Sequence, residues 1–235
     1  MTPVPSESLE SVLDRTWPVL MDFDGPVCPI FSGGRNAVVA ERMRETLRSA
    51  GVEVPDDVAA TSDPIDVLRF TAGLRRGELT HHVEDTFVAG ETGAAREGTP
   101  TPGAHDAIRA CDQAGRPVVV VSNNSVQAIR TYLELHHLND LIHAVIGRVP
   151  ARPDLLKPHP EPVRRALRVL GDGRQSPVLV GDSTTDMEVA QVAGLASIGY
   201  AKAPERVPGL VRAGADAVTE DMAEIARVVR AGRSA

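Results

Sequence analysis

Lysine is almost missing from this chain: of its 25 basic residues only Lys157 and Lys202 are lysine, and the rest are arginine. An excess of Arg and Ala is what GC-rich coding gives by itself. A lysine retained against that bias can mark a place where a compact ammonium fits and a planar guanidinium does not. Aromatic residues are scarce at 3%, so the core must be built from Val, Leu, Ile and Ala. The two cysteines, Cys28 and Cys111, cannot form a disulfide framework, which fits a reducing compartment. An excess of positive charge is also missing. A net charge of -7 argues against nucleic acid as partner, because phosphate neutralisation needs a basic face. It leaves room for a local cationic pocket that takes a small phosphorylated molecule. No apolar run approaches membrane-spanning length, and residues 1–17 have neither a basic start nor an apolar segment. The expectation is a cytoplasmic protein with no membrane partner; the sequence fixes no oligomeric state.

What the chain does have is concentrated first in residues 18–27, Pro-Val-Leu-Met-Asp-Phe-Asp-Gly-Pro-Val. A short apolar run bounded by Pro and Gly reads as a buried strand, and Asp22 and Asp24 follow where the chain leaves the sheet. In an α/β fold that is the carboxyl edge, where ligands bind. Two acids crowded there repel each other and call for an offset such as a metal cation. A solvated acidic turn is the plainer reading of the stretch taken alone.

At 235 residues there is room for one full domain and a smaller second one. Residues 1–16 read as a loose lead-in or short helix. Gly33-Gly34 makes a flexible joint, and helical spacing follows over 36–50, from Ser62-Asp63-Pro64 to Gly77, and over 78–96, with Gly90 and Gly93 weakening the last. Residues 35–97 are thus helical and strand-free, and residues 98–103 (Gly-Thr-Pro-Thr-Pro-Gly) make a return linker. Helices at 104–114, 125–136, 161–170, 184–193 and 204–213 then alternate with strands at 117–122, 141–146, 178–181, 196–199 and 215–218. Near-continuous apolar strands alternating with helices predict an α/β fold, a parallel sheet covered on both faces.

Three further segments carry polar groups at strand ends or in a loop. Residues 118–121 are four valines, followed by Ser122-Asn123-Asn124, whose hydroxyl and backbone N–H groups can bind an oxyanion; Ser and Asn are equally good helix caps. Lys157 stands between apolar residues and Pro158. Asp182 ends the strand at 178–181 and Asp186 falls in the first turn of the next helix, so the two carboxylates can share a cation or cap that helix.

Together, Asp22-Phe23-Asp24-Gly25, Ser122, Lys157-Pro158 and Gly181-Asp182-Ser183-Thr184-Thr185-Asp186 resemble the motifs of the haloacid dehalogenase-like hydrolase superfamily, over about 18–27 and 100–200. Within it the pattern looks like the phosphoglycolate phosphatase-like branch. The resemblance implies a Rossmann-like core (1–32 and 98–235) and an inserted helical cap domain (33–97). It implies a Mg²⁺-dependent phosphatase of a small phosphorylated metabolite, phosphoglycolate-like or a sugar phosphate. Asp22 would be the nucleophile that forms an aspartyl-phosphate and Asp24 the general acid/base. Asp22, the Asp24 carbonyl, Asp182 and Asp186 would serve Mg²⁺, and Ser122, Asn123 and Lys157 would bind the phosphoryl group. Asp24 points to phosphate esters, since the carbon–halogen-cleaving members lack that acid. A sugar phosphomutase of the β-phosphoglucomutase type and a non-catalytic binding protein are the alternatives. Arg35, Arg69, Arg75, Arg76, His81 and His82 are the insert's candidates for an anionic leaving group. Cys28 reads as a packing residue and His159 as part of its loop. Pro26 departs from the Thr or Val usual in the family.

Overall fold

A computed structural model describes residues 4–171 and 176–232. Six strands form one parallel sheet: β1 (Val19–Met21), β2 (Val118–Val121), β3 (Ala144–Ile146), β4 (Val178–Gly181), β5 (Ala196–Tyr200) and β6 (Ala217–Thr219), in the order β3-β2-β1-β4-β5-β6. The apolar runs are continuous because both faces are buried, and alternate residues feed different cores. Val19, Met21, Val118, Val120, Val178 and Val180 face one cluster; Leu20, Val119, Val121 and Leu179 face another. The strand order reverses between β1 and β4, which opens a crevice at the carboxyl ends of the two central strands.

The first helix, α1 (Leu9–Arg15), is capped by Ser8 and covers one face of the sheet. Between β1 and β2 come α2 (Arg35–Ser49), α3 (Asp56–Ala60), α4 (Pro64–Gly73) and α5 (Gly77–Glu97), an all-helical insert with its own apolar cluster around Met43, Leu47, Leu68, Val83 and Phe87. Then follow α6 (Ala104–Gln113), α7 (Val126–Leu135), α8 (Glu161–Leu170), α9 (Thr184–Ala193), α10 (Val207–Arg212) and α11 (Met222–Ala231). Helices α6, α7 and α11 join α1 on the first face, and α8 and α9 cover the second. Among the described residues no helix is long and apolar enough to cross a membrane.

Several boundaries differ from the sequence expectation. The strand placed at 141–146 keeps only Ala144–Ile146, because residues 139–141 close a 3-10 turn. Helix α3 is only five residues long, below what periodicity detects, and α11 lies beyond the last expected strand. Helix α5 runs unbroken through Gly90 and Gly93. At Gly90 the reason is contact: a Cβ there would stand 2.6 Å from a methyl of Val39 on α2, so the bare backbone is what lets these helices approach.

Helix α5 belongs to two cores. Leu79, Val83 and Phe87 pack in the insert, while Ala94 and Ala95 pack with the sheet. Midway along it, Glu84 and Glu91 close on Arg148, just past β3, at 2.7 and 2.9 Å, all three buried. Arg148 also donates to the Asn123 carbonyl (2.7 Å) and lies over the Phe87 ring. Glu91 in turn accepts from the Asn124 amide and the Ser125 backbone N–H. Only Glu84 Oε2, among the described residues, is buried without a hydrogen-bond partner. Arg148→Ala strands two buried carboxylates and should lower the unfolding free energy by about 3–5 kcal/mol in a urea titration. Glu84→Gln, which removes a charge already short of a partner, should cost far less. Equal costs would show that the network does not hold α5 to the sheet.

Candidate active site

The register sets the site. Met21 pairs with Val120 on one side and Val180 on the other, so Asp22, Ser122 and Asp182 emerge together at the carboxyl edge. Lys157 reaches this edge from the loop before α8. Its ammonium lies 2.9 Å from Asp22 Oδ1 and 2.5 Å from Asp186 Oδ1, and it donates to the Val121 carbonyl at 3.1 Å. Three directed acceptors on one buried ammonium suit a lysine, whose three donors radiate from a point. Asp22 Oδ1 also accepts from the Phe23 backbone N–H at 2.7 Å, which fixes the carboxylate's orientation. Asp22, Asp182 and Asp186 are all buried, and each offers an oxygen within 4.8 Å of the others. Hard carboxylate oxygens so placed can hold a metal ion.

Burial pushes the Asp22 carboxyl up to about 7, against the pull of Lys157, and repulsion from Asp186 and Asp182 adds to the rise. Burial works against the charge on Lys157, but Asp186 and Asp22 more than offset it and hold the ammonium above the usual lysine range. Asp24 is half-buried on the loop after β1; burial and then the neighbouring Asp182 raise it to about 6. Asp186 closes a reciprocal cap with Ser183: its Oδ2 accepts from the Ser183 hydroxyl at 2.6 Å while the Asp186 N–H donates back. Asp182 Oδ2 accepts from Lys202 at 2.9 Å, and its carbonyl accepts from Arg206.

Both lysines of the chain therefore sit on the aspartate cluster. Lys202 and Arg206 were not foreseen as site residues; for Lys202 the signal lay in the near-absence of lysine elsewhere. Ser122 Oγ donates to Asn124 Oδ1 and accepts from the Asn124 N–H, which orients the hydroxyl at the strand end. The Asn123 side chain is committed to Lys157: its Oδ1 accepts from the Lys157 N–H at 2.8 Å.

The turn after Asp22 absorbs Pro26 without loss. Its closing bonds come from the N–H groups of Val27 and Cys28, both to the Phe23 carbonyl, so position 26 is asked for no donor. Thr101 of the return linker bonds the Gly25 carbonyl and the Val27 carbonyl, which stitches the linker to this turn. Cys28 is buried against Gly98, and burial followed by the charge of Asp24 pushes its thiol up to about 12. A thiol so held is a packing group. His159 Nδ1 accepts from the Glu161 N–H at the start of α8.

A cavity of about 390 Å³ opens above Asp22, Asp24, Ser122, Lys157 and Asp182, roofed by the insert. None of the insert cations anticipated for the leaving group lines it. Arg35 pairs with Glu97 and Arg69 with Asp66, both at the surface; Arg75 and His81 line a separate cleft with Arg152. Arg76 and His82 are exposed outside the cavity.

The family model of haloacid dehalogenase-like hydrolases matches residues 77–200 of this chain. A phosphoglycolate phosphatase of Escherichia coli (strain K12) is 31% identical over 161 residues, 68% of this chain and 58% of the relative. The chain thus matches less than two thirds of that relative's length. A phosphoglycolate phosphatase of Aquifex aeolicus is 24% identical over 205 residues, 81% of this chain and 89% of the relative. The crystal structure of CbbY from Rhodobacter sphaeroides in complex with phosphate shares the fold, with a TM-score of 0.62 and 22% identity over 89% of this chain and 96% of that one.

Gly25 makes the cluster sterically possible. It has φ +113°, and a Cβ there would stand 2.5 Å from the Asp182 carboxyl carbon. Gly25→Ala should cost about 1–2 kcal/mol of backbone strain and push Asp182 out of place. Titration calorimetry with Mn²⁺ should show affinity lower by about tenfold or more, equivalent to about 1.4 kcal/mol. Unchanged affinity in a folded variant would show that Asp182 yields without leaving the cluster.

Proposed function

Because the chain belongs to the haloacid dehalogenase-like hydrolase family, we propose that it is a Mg²⁺-dependent phosphatase of a small phosphorylated metabolite, acting through an aspartyl-phosphate on Asp22. The observation that carries this reading is the setting of Asp22: a carboxylate oriented by the Phe23 N–H and Lys157, at the floor of a cavity, with a second acid one residue away. In this reading residues 33–97 act as a cap domain over a core made of 1–32 and 98–235. Free, buried Cys28 and Cys111 fit a cytoplasmic location.

The buried carboxylates of Asp22, Asp182 and Asp186 fit Mg²⁺, and the family pattern would add the Asp24 carbonyl to hold it, with Asp186 alongside. Bound there, the ion would offset the repulsion among the carboxylates, keep Asp22 ionised and screen the phosphoryl oxygens. Lys157 takes a phosphoryl oxygen by exchanging one of its three present acceptors, the Ser122 hydroxyl takes another by turning from Asn124 Oδ1, and Asn123 contributes by fixing the backbone of Lys157. Asp22 attacks phosphorus; an O–P bond forms to its carboxylate as the bond to the leaving oxygen breaks. Asp24 gives its proton to that oxygen. It then takes a proton from the water that attacks the aspartyl-phosphate, which releases phosphate and restores Asp22. A carboxyl held above its ordinary range by burial suits both transfers.

Phosphate release from p-nitrophenyl phosphate tests the reading. Turnover should require Mg²⁺, stop in EDTA, and fall by about three orders of magnitude or more in Asp22→Asn, which has no carboxylate to attack. Turnover that persists in Asp22→Asn would overturn the covalent route. A reaction that needs a sugar bisphosphate and yields an isomeric monophosphate without free phosphate would make the protein a mutase.

A further inference from the structure

The floor and the wall of the cavity have different charge. On the floor, four aspartates (Asp22, Asp24, Asp182, Asp186) meet two lysines, and one divalent cation would complete their neutralisation. Arg206 donates to the Asp182 carbonyl from outside the cavity lining. The wall supplied by the insert is made of Asn36, Asp63, Pro64, Ile65, Phe87 and Glu91, with Phe31 stacked on Phe87 at 6.3 Å between ring centroids. Among the described residues no Arg, Lys or His of the insert lines it. The buried cation behind the wall, Arg148, is consumed by Glu84 and Glu91 and has no exposed surface on its side chain.

Of the two carboxylates that the insert gives to the cavity lining, Glu91 is paired with Arg148, which leaves Asp63. One of its oxygens, Oδ1, caps α4 by accepting from the Ile65 N–H at 2.9 Å, which fixes the carboxylate at the cavity rim. Arg69, the basic residue of α4, pairs with Asp66 at 3.3 Å at the surface, and its charge also reaches Asp63. Asp63 is exposed at the rim, and a second anion on the substrate brought against it would be repelled at close range. Hydroxyl or ammonium groups would instead donate to Asp63, and the C–H face of a small carbon chain would lie against the Phe31–Phe87 pair.

We propose that Asp63 makes this wall select phosphate esters whose leaving group is an uncharged polyol or an amino alcohol, and reject those whose leaving group carries a carboxylate or a second phosphate. The inference rests on the phosphatase reading above. It separates this chain's substrate from that named for its phosphoglycolate phosphatase relatives.

Four esters decide it, assayed as kcat/KM with Mg²⁺ in the full chain and in Asp63→Asn: glycerol 3-phosphate, phosphoethanolamine, 2-phosphoglycolate and p-nitrophenyl phosphate. Asn caps a helix as well as Asp, so the variant keeps the fold of α4. The wild type should prefer glycerol 3-phosphate and phosphoethanolamine over 2-phosphoglycolate by about tenfold or more. Asp63→Asn should narrow the gap between 2-phosphoglycolate and phosphoethanolamine by about tenfold, the effect of removing one exposed charge that repels the one leaving group and attracts the other. Preference for 2-phosphoglycolate in the wild type, or a ratio unmoved in Asp63→Asn, would overturn the proposal while p-nitrophenyl phosphate turnover left the phosphatase reading standing. Absence of turnover on p-nitrophenyl phosphate and on all three other esters would overturn both.

Discussion

Three carboxylates and one ammonium share a buried space at the carboxyl edge of the central strands, and much of the architecture serves to keep them there. Burying Asp22, Asp182 and Asp186 together is costly, because each loses water and repels the other two. Lys157 offsets part of that cost from one side, with Asp22 and Asp186 both within salt-bridge reach. The covalent frame does the rest. Parallel register sets β1 and β4 side by side, and glycine at positions 25 and 181 leaves the space that the Asp182 and Asp186 side chains fill. Held against its own repulsion by backbone register, such a cluster could take up a cation.

The same economy reaches the cavity wall. Arg148 is a buried cation spent on structure: it fixes α5 to the sheet through Glu84 and Glu91 and holds the Asn123 carbonyl in the same grip. Asn123 in turn holds Lys157, and Asn124 holds both Ser122 and Glu91. A helix that roofs the cavity is therefore coupled, through one arginine and two asparagines, to the residues at its floor. Helix α5 carries side chains of both cores, so the roof is continuous with the frame that sets the floor.

Much of this could be read from the sequence, for a physical reason. Strands buried on both faces, such as Val118–Val121, are apolar without interruption, and polar residues directly after them stand out. Asp22, Ser122, Asp182 and Asp186 were visible in this way, and Lys157 by the rarity of lysine. Lys202 carried the same rarity signal and stands two residues past the end of β5. Arg148 and Glu91 gave no signal, because a charged residue on a helix or loop reads as solvated until its burial is known. The insert was legible as helices, since Asp63-Pro64 and the spacing from Val38 to Leu47 are local features. Which of its side chains face the cavity depends on how four helices pack over a distant sheet edge, and the arginines and histidines that looked suited to an anion turned out to face elsewhere.

The match to the haloacid dehalogenase-like family model spans residues 77–200, which holds Ser122, Lys157, Asp182 and Asp186. Asn36, Asp63 and Ile65 lie before it, on the helices that build the wall. Asp22 and Asp24 of the floor also lie before the matched span, while Phe87 and Glu91 of the wall lie inside it, so the family match divides neither floor from wall nor one set of lining residues from the other. A carboxylate at the rim of the wall, with the surrounding arginines engaged by other acids, is a constraint on the leaving group that resemblance along the matched span does not carry.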